Sequence, residues 1–570
     1  MNVTKGKDSD EDNTKMYVHD SSIDFKGRVP LRASTGCWKA AFFILAIEFS
    51  EKLSYFGIGT NLITYMTKVM QQDLETAVKS VNIWSGVTAV MPLVGAFVAD
   101  SYTGAYAMIL FSASLYVCGL SLLTMAEYIP TLKPCTTCEH GNKKHEVLFF
   151  LAIYLVSLAT GGYKPCLQSF GADQFDENNA KERKQKMSFF NWWNISLCCG
   201  IFFGVTLIVY MQDNVAWGLG FLILALTMAV SLLVFIFGRP FYRYKNSPLG
   251  SPLTTLLQVF VAAFVKRNLP SPFDPSFLYE GSKSPGKPSL SHTNRLRCLD
   301  KAAIIEEDQE NDGPASRWRL ASVTQVEELK LVIHMIPIWL SCLVFGVGIA
   351  QGTTFYVKQG SLMNRRLSKH FEIPPATLFI MTAIGMVITV ALYDKVLLPL
   401  VRKSTKNERG INILTRMGIG MFILIIAIII SALVEKKRLT SARNGVSLSA
   451  FWLAPQFLLL GIGDGFSLVG MQEYFYDQVP DSMRSMGLGL YLSVIGVGSF
   501  LSTFLIIIVN KFSTKKWIGK DLNHSRLDYF YWFLTVIFVV NLCVYVYLAR
   551  NYRYKNVERR VSDVNSCDDM

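Results

Sequence analysis

Three charged residues lie in the middle of an apolar stretch near the start of the chain, FFILAIEFSEKLSYFGIGTNLITYM. Glu48, Glu51 and Lys52 are spaced i, i+3 and i+4, so a helix projects all three from one face. A charge at the centre of a bilayer costs at least about 2.5 kcal/mol on insertion scales, so three would not persist against lipid. One reading is a mutually neutralised ion cluster that only holds helices together. We favour a proton relay, because a carboxylate beside a lysine titrates according to whether that lysine stays in place.

Two further charges lie in glycine-rich apolar segments far apart in the chain. Lys164 is found in ATGGYKPC and Asp464 in GIGDGF, at corresponding places of the two halves of the sequence. A bridge between them would hold the halves together on one side of a membrane. Protonation of Asp464, or an anion on Lys164, would release it. The alternative is two unrelated buried ions, each satisfied locally.

The remaining motifs favour neither an enzyme nor a metal or cofactor site. Residues 281–287 (GSKSPGK) have the spacing of a phosphate-binding loop, but Pro288 stands where Ser or Thr must reach Mg²⁺. The pair Cys135 and Cys138 has no second pair to complete a zinc site. His145–Glu146 is not followed by the second histidine of a zinc-protease helix. We therefore expect no catalytic residue, no metal and no cofactor.

Composition indicates a membrane protein. Of 570 residues, 51% are apolar and only 17% charged, against about 25% in soluble proteins. The net charge of +13 lies mostly in short stretches between apolar segments, which disfavours nucleic acid binding and favours a role in membrane orientation. Twelve segments are long enough to span a bilayer. They are residues 38–66, 81–99, 105–126, 147–170, 189–211, 217–237, 329–350, 375–397, 411–433, 448–475, 486–509 and 529–548.

These segments divide the chain into two bundles of six helices, over residues 38–238 and 329–549. Tails over 1–37 and 550–570 and a central loop over 239–328 contain more Lys and Arg, which places them in the cytosol. Within that loop, residues 252–266 are apolar but too short to span, which predicts a helix lying in the membrane interface. The Ser- and Pro-rich stretch and the acidic run that follow favour disorder.

Six stretches together resemble the proton-coupled oligopeptide transporters, specifically the plant nitrate/peptide transporter family. They are EFSEKLSY (48–55), GAFVADSYTGAY (95–106), FGADQFD (170–176), FFNWW (189–193), WRLASVTQVEELK (318–330) and EYFYDQVPDSMRSM (473–486). The resemblance covers roughly residues 24–550. It implies an all-α membrane protein of the major facilitator fold, with twelve transmembrane helices in two six-helix bundles.

The resemblance also implies roles for particular residues. Glu48, Glu51 and Lys52 would be the proton-coupling motif, and Lys164 and Asp464 the inter-bundle pair that senses substrate. Tyr55 and Gln351 would line the pocket, and Asp100 would belong to a cytosolic gate. Some positions depart from the family pattern. Lys52 replaces the commoner Arg, and Asp464 stands where Glu is usual. Ala105 replaces a basic residue, and Cys198 occupies a position that is often Asn in the family. Ile349 stands where some nitrate-carrying relatives have a His.

The predicted function is therefore a symporter that moves protons with a small anionic or zwitterionic solute by alternating access, with nitrate or short peptides foremost. The expected partners are this solute, protons and membrane lipid, and the oligomeric state stays open. The competing hypothesis is a receptor or sensor that keeps the bundle but has lost transport. We expect a multi-pass protein of the plasma or vacuolar membrane with both termini in the cytosol.

Overall fold

The computed structural model describes most of the chain. The described residues are 17–18, 22–134, 143–176, 179–245, 252–270, 278–279, 292–305, 318–368, 371–397, 400, 403, 411–479, 484–513, 516–552 and 554. Cys135 and Cys138, the stretch 281–288 and the acidic run 306–312 lie outside them.

The first half of the fold runs from Cys37 to Phe237. Its helices are α1 Cys37–Gly59, α2 Leu62–Lys68, α3 Leu74–Val98, α4 Ala105–Tyr128, α5 Lys143–Ala172, α6 Ala180–Phe203, α7 Val209–Asn214 and α8 Trp217–Phe237. A π-helical turn, Ala99–Thr103, extends α3, and another, Gly204–Ile208, joins α6 to α7. The strand β1 (Ser22–Ile23) before α1 pairs antiparallel with β2 (Tyr244–Lys245) after α8.

The second half follows a short helix of the central segment, α9 Pro252–Val265. Its helices are α10 Val323–Thr353, α11 Phe355–Ser361, α12 Ile380–Leu392, α13 Ile413–Arg443, α14 Ala454–Gln478, α15 Arg484–Phe512 and α16 Leu527–Asn551. A π-helical turn, Tyr393–Leu397, extends α12. Strands β3 (Arg366–Ser368) and β4 (Phe371–Glu372) form a hairpin between α11 and α12.

Each of the twelve predicted spans coincides with a helix. Within the described residues, eleven helices are long and apolar enough to cross a membrane. The twelfth, α1, has 23 residues and so a length of about 35 Å, but the three charges in its middle lower its apolar character. The predicted first span is broken at Thr60 and Asn61, whereas the seventh lies entirely within α10, which ends at Thr353.

In each half, glycines let two membrane-spanning helices approach closely: α3 and α5 in the first half, and α12 and α14 in the second. A Cβ added to Gly95 on α3 would overlap the backbone of Gly161 on α5. In the second half, a Cβ on Gly385 of α12 would overlap the backbone of Leu458 on α14. The matching contacts and the matching π-helical turns after α3 and α12 show that the two halves are structural repeats.

A polar layer covers the end of the first half at which the chain enters and leaves it, called here the terminal end. Arg243 is fully buried, donates to Glu182 at 2.7 Å and reaches the carbonyl of Thr35 at 2.9 Å. Arg32 bonds Asp176 at 2.6 Å and Glu182 at 2.9 Å. Gly36, with φ of +72°, lies against the Arg243 guanidinium where no side chain would fit. The described residues just before α1 are therefore fixed to the bundle.

The central segment is more ordered than the sequence predicts. Residues 292–305 and α9 pack with the first turns of α10 in a second apolar core, separate from that of the bundle. Lys330 binds Asp300 at 2.6 Å and Glu327 at 2.8 Å inside this unit. The second half also begins earlier than predicted, because Ser322 and Gln325 form a reciprocal cap at the start of α10.

Candidate functional site

The three charges of α1 form one buried ion cluster. The Lys52 ammonium lies 2.7 Å from Glu51 Oε2 and 3.3 Å from Glu48 Oε1. Glu51 is fully buried and Glu48 nearly so. Glu51 Oε1 is buried without a hydrogen-bond partner among the described residues. The cluster therefore contains one more carboxylate than it has cations. One carboxylate oxygen is left that can bind a proton or accept a hydrogen bond.

Lys164 on α5 stands beside this cluster. Its ammonium lies 4.3 Å from the centre of the Tyr55 ring, within the range of a cation–π contact. Tyr55 in turn stacks on Trp84 of α3, with ring centres 5.8 Å apart. Lys164 interacts electrostatically with Glu51, Lys52 and Glu48. Glu48, Glu51, Lys52, Tyr55 and Lys164 therefore belong to one site in the first half, as the sequence predicts for the first three.

Asp464 lies on the other side of the bundle, in α14. It is buried, and its Oδ1 has no hydrogen-bond partner among the described residues. The predicted bridge with Lys164 is not formed in this structure, since no described ion pair joins the two residues. The physical reason is that Lys164 is drawn to Tyr55 and to the carboxylates of α1, all within its own half.

Gln351 belongs to a polar chain that crosses from one half to the other. Its amide donates to the Val347 carbonyl at 2.8 Å and to Ser502 Oγ at 3.3 Å. Asn82 of α3 donates to the same Ser502 oxygen at 3.2 Å. Sequence reasoning identified Gln351 through the resemblance but missed Asn82 and Ser502. Asn82 lies at the very start of its predicted span, residues 81–99, so the sequence offered no clear signal for it.

The remaining hydrogen bonds between the halves lie toward the end opposite the terminal end. Lys358 donates to Thr67 at 3.0 Å, and Thr377 donates to the Val205 carbonyl at 3.0 Å. Lys516 pairs with Glu75 at 3.2 Å. Between described residues at the terminal end, no hydrogen bond or ion pair joins the halves. Within the described residues, the halves are thus joined at the opposite end.

The proposed gate residue Asp100 lies in the π-helical turn Ala99–Thr103, and its side chain is outside the description. A group that could ligate a metal, His292, Asp300 and Glu327, lies in the central segment. Its two carboxylates are already paired with the Lys330 ammonium, whose charge would repel a cation. We interpret this group as a structural link between residues 292–305 and α10.

Two six-helix halves around buried charges are the architecture of a membrane protein of the major facilitator fold. The chain belongs to the POT family, whose model matches residues 106–523. It is 54% identical over 559 residues to the protein NRT1/PTR family 5.6 of Arabidopsis thaliana, covering 96% of each chain. It is 52% identical to NRT1/PTR family 5.7 of the same plant, covering 97% of this chain and 94% of that one.

Solved structures show the same fold. An auto-inhibited POT family peptide transporter matches with a TM-score of 0.69 and 19% identity, covering 91% of this chain and 98% of that one. The POT family transporter PepTSo matches with a TM-score of 0.66 and 18% identity, covering 90% and 97%. The predicted all-α major facilitator fold is therefore confirmed.

Proposed function

We propose that the protein is a proton-coupled symporter of a small anionic or zwitterionic solute, nitrate or short peptides foremost, and that it works by alternating access. Its relatives support the solute class. A POT family structure of the same fold was solved with 5-aminolevulinic acid, which is a zwitterion. The pocket would be formed by Tyr55 and Lys164 from the first half, with Gln351 and Asp464 from the second.

The observation that carries this proposal is the state of Lys164. It is a half-buried cation with no hydrogen bond or ion pair to a described residue, and its ammonium lies over the Tyr55 ring. Such a cation in an apolar bundle is a site for an anionic group of a ligand, because the pair restores the electrostatic stabilisation lost with water.

Charge balance then links the solute to the proton. With both carboxylates ionised, Glu48, Glu51 and Lys52 sum to −1, and Lys164 brings the site to zero. A bound monovalent anion would leave an excess negative charge in a low dielectric, which is costly. A proton on Glu48 or Glu51 restores neutrality. Proton and anion are therefore favoured together, and neither is favoured alone.

Asp464 would complete the cycle from the other half. When the terminal end closes, α5 and α14 approach, and Asp464 can pair with Lys164 in place of the solute. We infer that this bridge marks the empty carrier. A Lys164→Asp, Asp464→Lys double variant should regain part of the folded expression that either single variant loses.

The test is solute uptake into proteoliposomes or a heterologous cell against a panel of nitrate, peptides and organic acids at external pH 5.5 and 7.5. Glu51→Gln should abolish the acid stimulation, and Lys164→Ala should abolish uptake. Glu146→Gln, the same change at an exposed site, is the control. Full acid stimulation in Glu51→Gln would contradict the proposal, and no uptake of any solute by the wild type would favour a receptor.

We also propose that both termini lie in the cytosol and that α9 lies on the cytosolic membrane surface. One face of α9 packs in the central core, including Val259, while Leu257, Phe260 and Phe264 are exposed. A photo-crosslinking amino acid at position 260 should give lipid adducts, and one at position 259 should give crosslinks within the chain. Equal lipid labelling at both positions would refute this placement.

A further inference from the structure

A second buried cluster of titratable groups lies at the end of the first half opposite the terminal end. Tyr65 of α2 contacts Glu127 at the end of α4 and His145 in the first turn of α5. The Tyr65 hydroxyl is hydrogen-bonded to Glu127 and lies 2.8 Å from His145 Nε2. His145 Nδ1 lies 2.9 Å from the Leu132 carbonyl oxygen. The three side chains thus form one chain of contacts across three helices.

This cluster is shielded from water by aromatic rings. Tyr65 and His145 are nearly fully buried. The Tyr65 ring stacks on Phe149 with centres 4.7 Å apart and meets Trp217 edge-on at 4.9 Å. In such surroundings each polar atom needs its hydrogen bond, because an unmet donor or acceptor is costly.

The number of hydrogens needed can be counted. A carbonyl oxygen only accepts, so Nδ1 of His145 must carry a hydrogen to meet Leu132. If Glu127 is ionised and Nε2 is bare, two acceptors face the single hydrogen of the Tyr65 hydroxyl. One contact must then fail. An additional proton removes the conflict: on Nε2 it donates to Tyr65, or on Glu127 it donates to Tyr65, which then donates to Nε2.

We propose that Tyr65, Glu127 and His145 form a proton-binding site, separate from the cluster on α1, that holds one shared proton and ties α2, α4 and α5 together at this end. Moving the proton between Glu127 and His145 needs only the exchange of hydrogens through the Tyr65 hydroxyl. Its loss breaks one of the two contacts of Tyr65, so the cluster loosens as pH rises.

The elements packed against α2 carry half-buried charged groups that have partners outside the cluster: Lys358 donates to Thr67, Asp213 accepts from Asn61, and Lys79 pairs with Glu75. The other charged groups on or beside α2, α4 and α5 near the cluster are exposed and thus screened by solvent. On the described residues they are Lys68, Lys133, Lys143, Lys144 and Glu146. Glu146 accepts from Gln72 at 3.0 Å instead of from the cluster. The aromatic neighbours Phe149, Trp217 and Phe221 carry no charge.

Hydrogen exchange of the full-length protein in lipid nanodiscs tests this site without any transport assay, so its outcome is independent of the proposed function. If the closed cluster binds one proton more than the open one, the equilibrium constant for local opening increases by up to about tenfold for each unit by which the pH rises. Exchange rates are corrected for the intrinsic pH dependence of amide exchange. In the wild type, the protection factors of peptides over residues 125–134 and 143–150 should then fall by up to this factor per pH unit between pH 6 and 8.5.

Glu127→Gln should flatten this pH dependence. The glutamine NH₂ group can donate to Tyr65 at every pH, whereas the wild type needs the shared proton for this hydrogen bond. Tyr128→Phe removes a hydroxyl at the exposed neighbouring position and should behave as wild type. A flat wild-type profile, or an equal pH dependence in wild type and Glu127→Gln, would overturn the proposal. If Glu127→Gln does not fold, Tyr65→Phe serves instead and should be less protected at all pH values without a pH-dependent part.

Discussion

Replacing Lys52 with methionine isolates the charge balance of the α1 cluster from its packing. Methionine keeps most of the apolar stem of lysine but removes the ammonium. At an effective dielectric constant of about 20, the contacts of 2.7 and 3.3 Å are worth about 6 and about 5 kcal/mol before desolvation. Desolvation offsets most of this, and removing one partner of a buried pair costs about 3–5 kcal/mol net. We expect Lys52→Met to destabilise the protein by this amount.

The reasoning requires that the cost disappears when the carboxylates are neutralised too. The triple variant Glu48→Gln, Glu51→Gln, Lys52→Met should lie within about 1.5 kcal/mol of the wild type, since it keeps volume and removes charge on both sides. Lys39→Met, the same change at an exposed position of α1, should cost less than about 0.5 kcal/mol. Stability would be measured by denaturant unfolding in detergent. A Lys52→Met protein no less stable than the triple variant would refute the charge-balance argument.

Other predictions follow from single contacts. Tyr55→Leu should weaken binding of an anionic solute, because it removes the aromatic face that positions Lys164. Tyr55→Phe keeps this face and should bind nearly as the wild type does. Ligand-induced shifts of the melting temperature measure both variants. Gly95→Ala should destabilise the bundle by about 1–3 kcal/mol or prevent folding, because the added Cβ overlaps the backbone of Gly161. Size-exclusion chromatography would then show less monodisperse protein. Arg438→Met should cost about 3–5 kcal/mol in the same unfolding assay, because it leaves Glu435 buried without its bidentate partner.

The sequence was sufficient for the α1 cluster because its information is local. Glu48, Glu51 and Lys52 share one helical turn, so their spacing alone determines that they meet. The twelve spans were predictable for a similar reason, since each is an apolar segment long enough to cross a bilayer. The break of the first span at Asn61 was not predicted, because the apolar pattern continues through it.

Contacts between distant segments could not be obtained in this way. The partner of Lys164 depends on how the halves are placed in one particular state, and the structure selects Tyr55 over Asp464. The buried Arg243 is separated by 61 residues from Glu182 and by more from Thr35, and no periodicity relates them. The order of residues 292–305 arises from packing against α10, which composition does not report.

The bonds between the halves indicate which contacts must break in the proposed alternating-access cycle. The Lys516–Glu75 pair at the opposite end lies near the surface, so it can break at small cost. The seam of α3 against α15, with Asn82 bonded to Ser502, is buried and lies near the middle of both helices. An unmet buried amide is costly, so this contact should persist while the ends exchange contacts. Under the proposed alternating-access cycle, the halves would rock about this seam, and Asp464 would approach Lys164 when the terminal end closes.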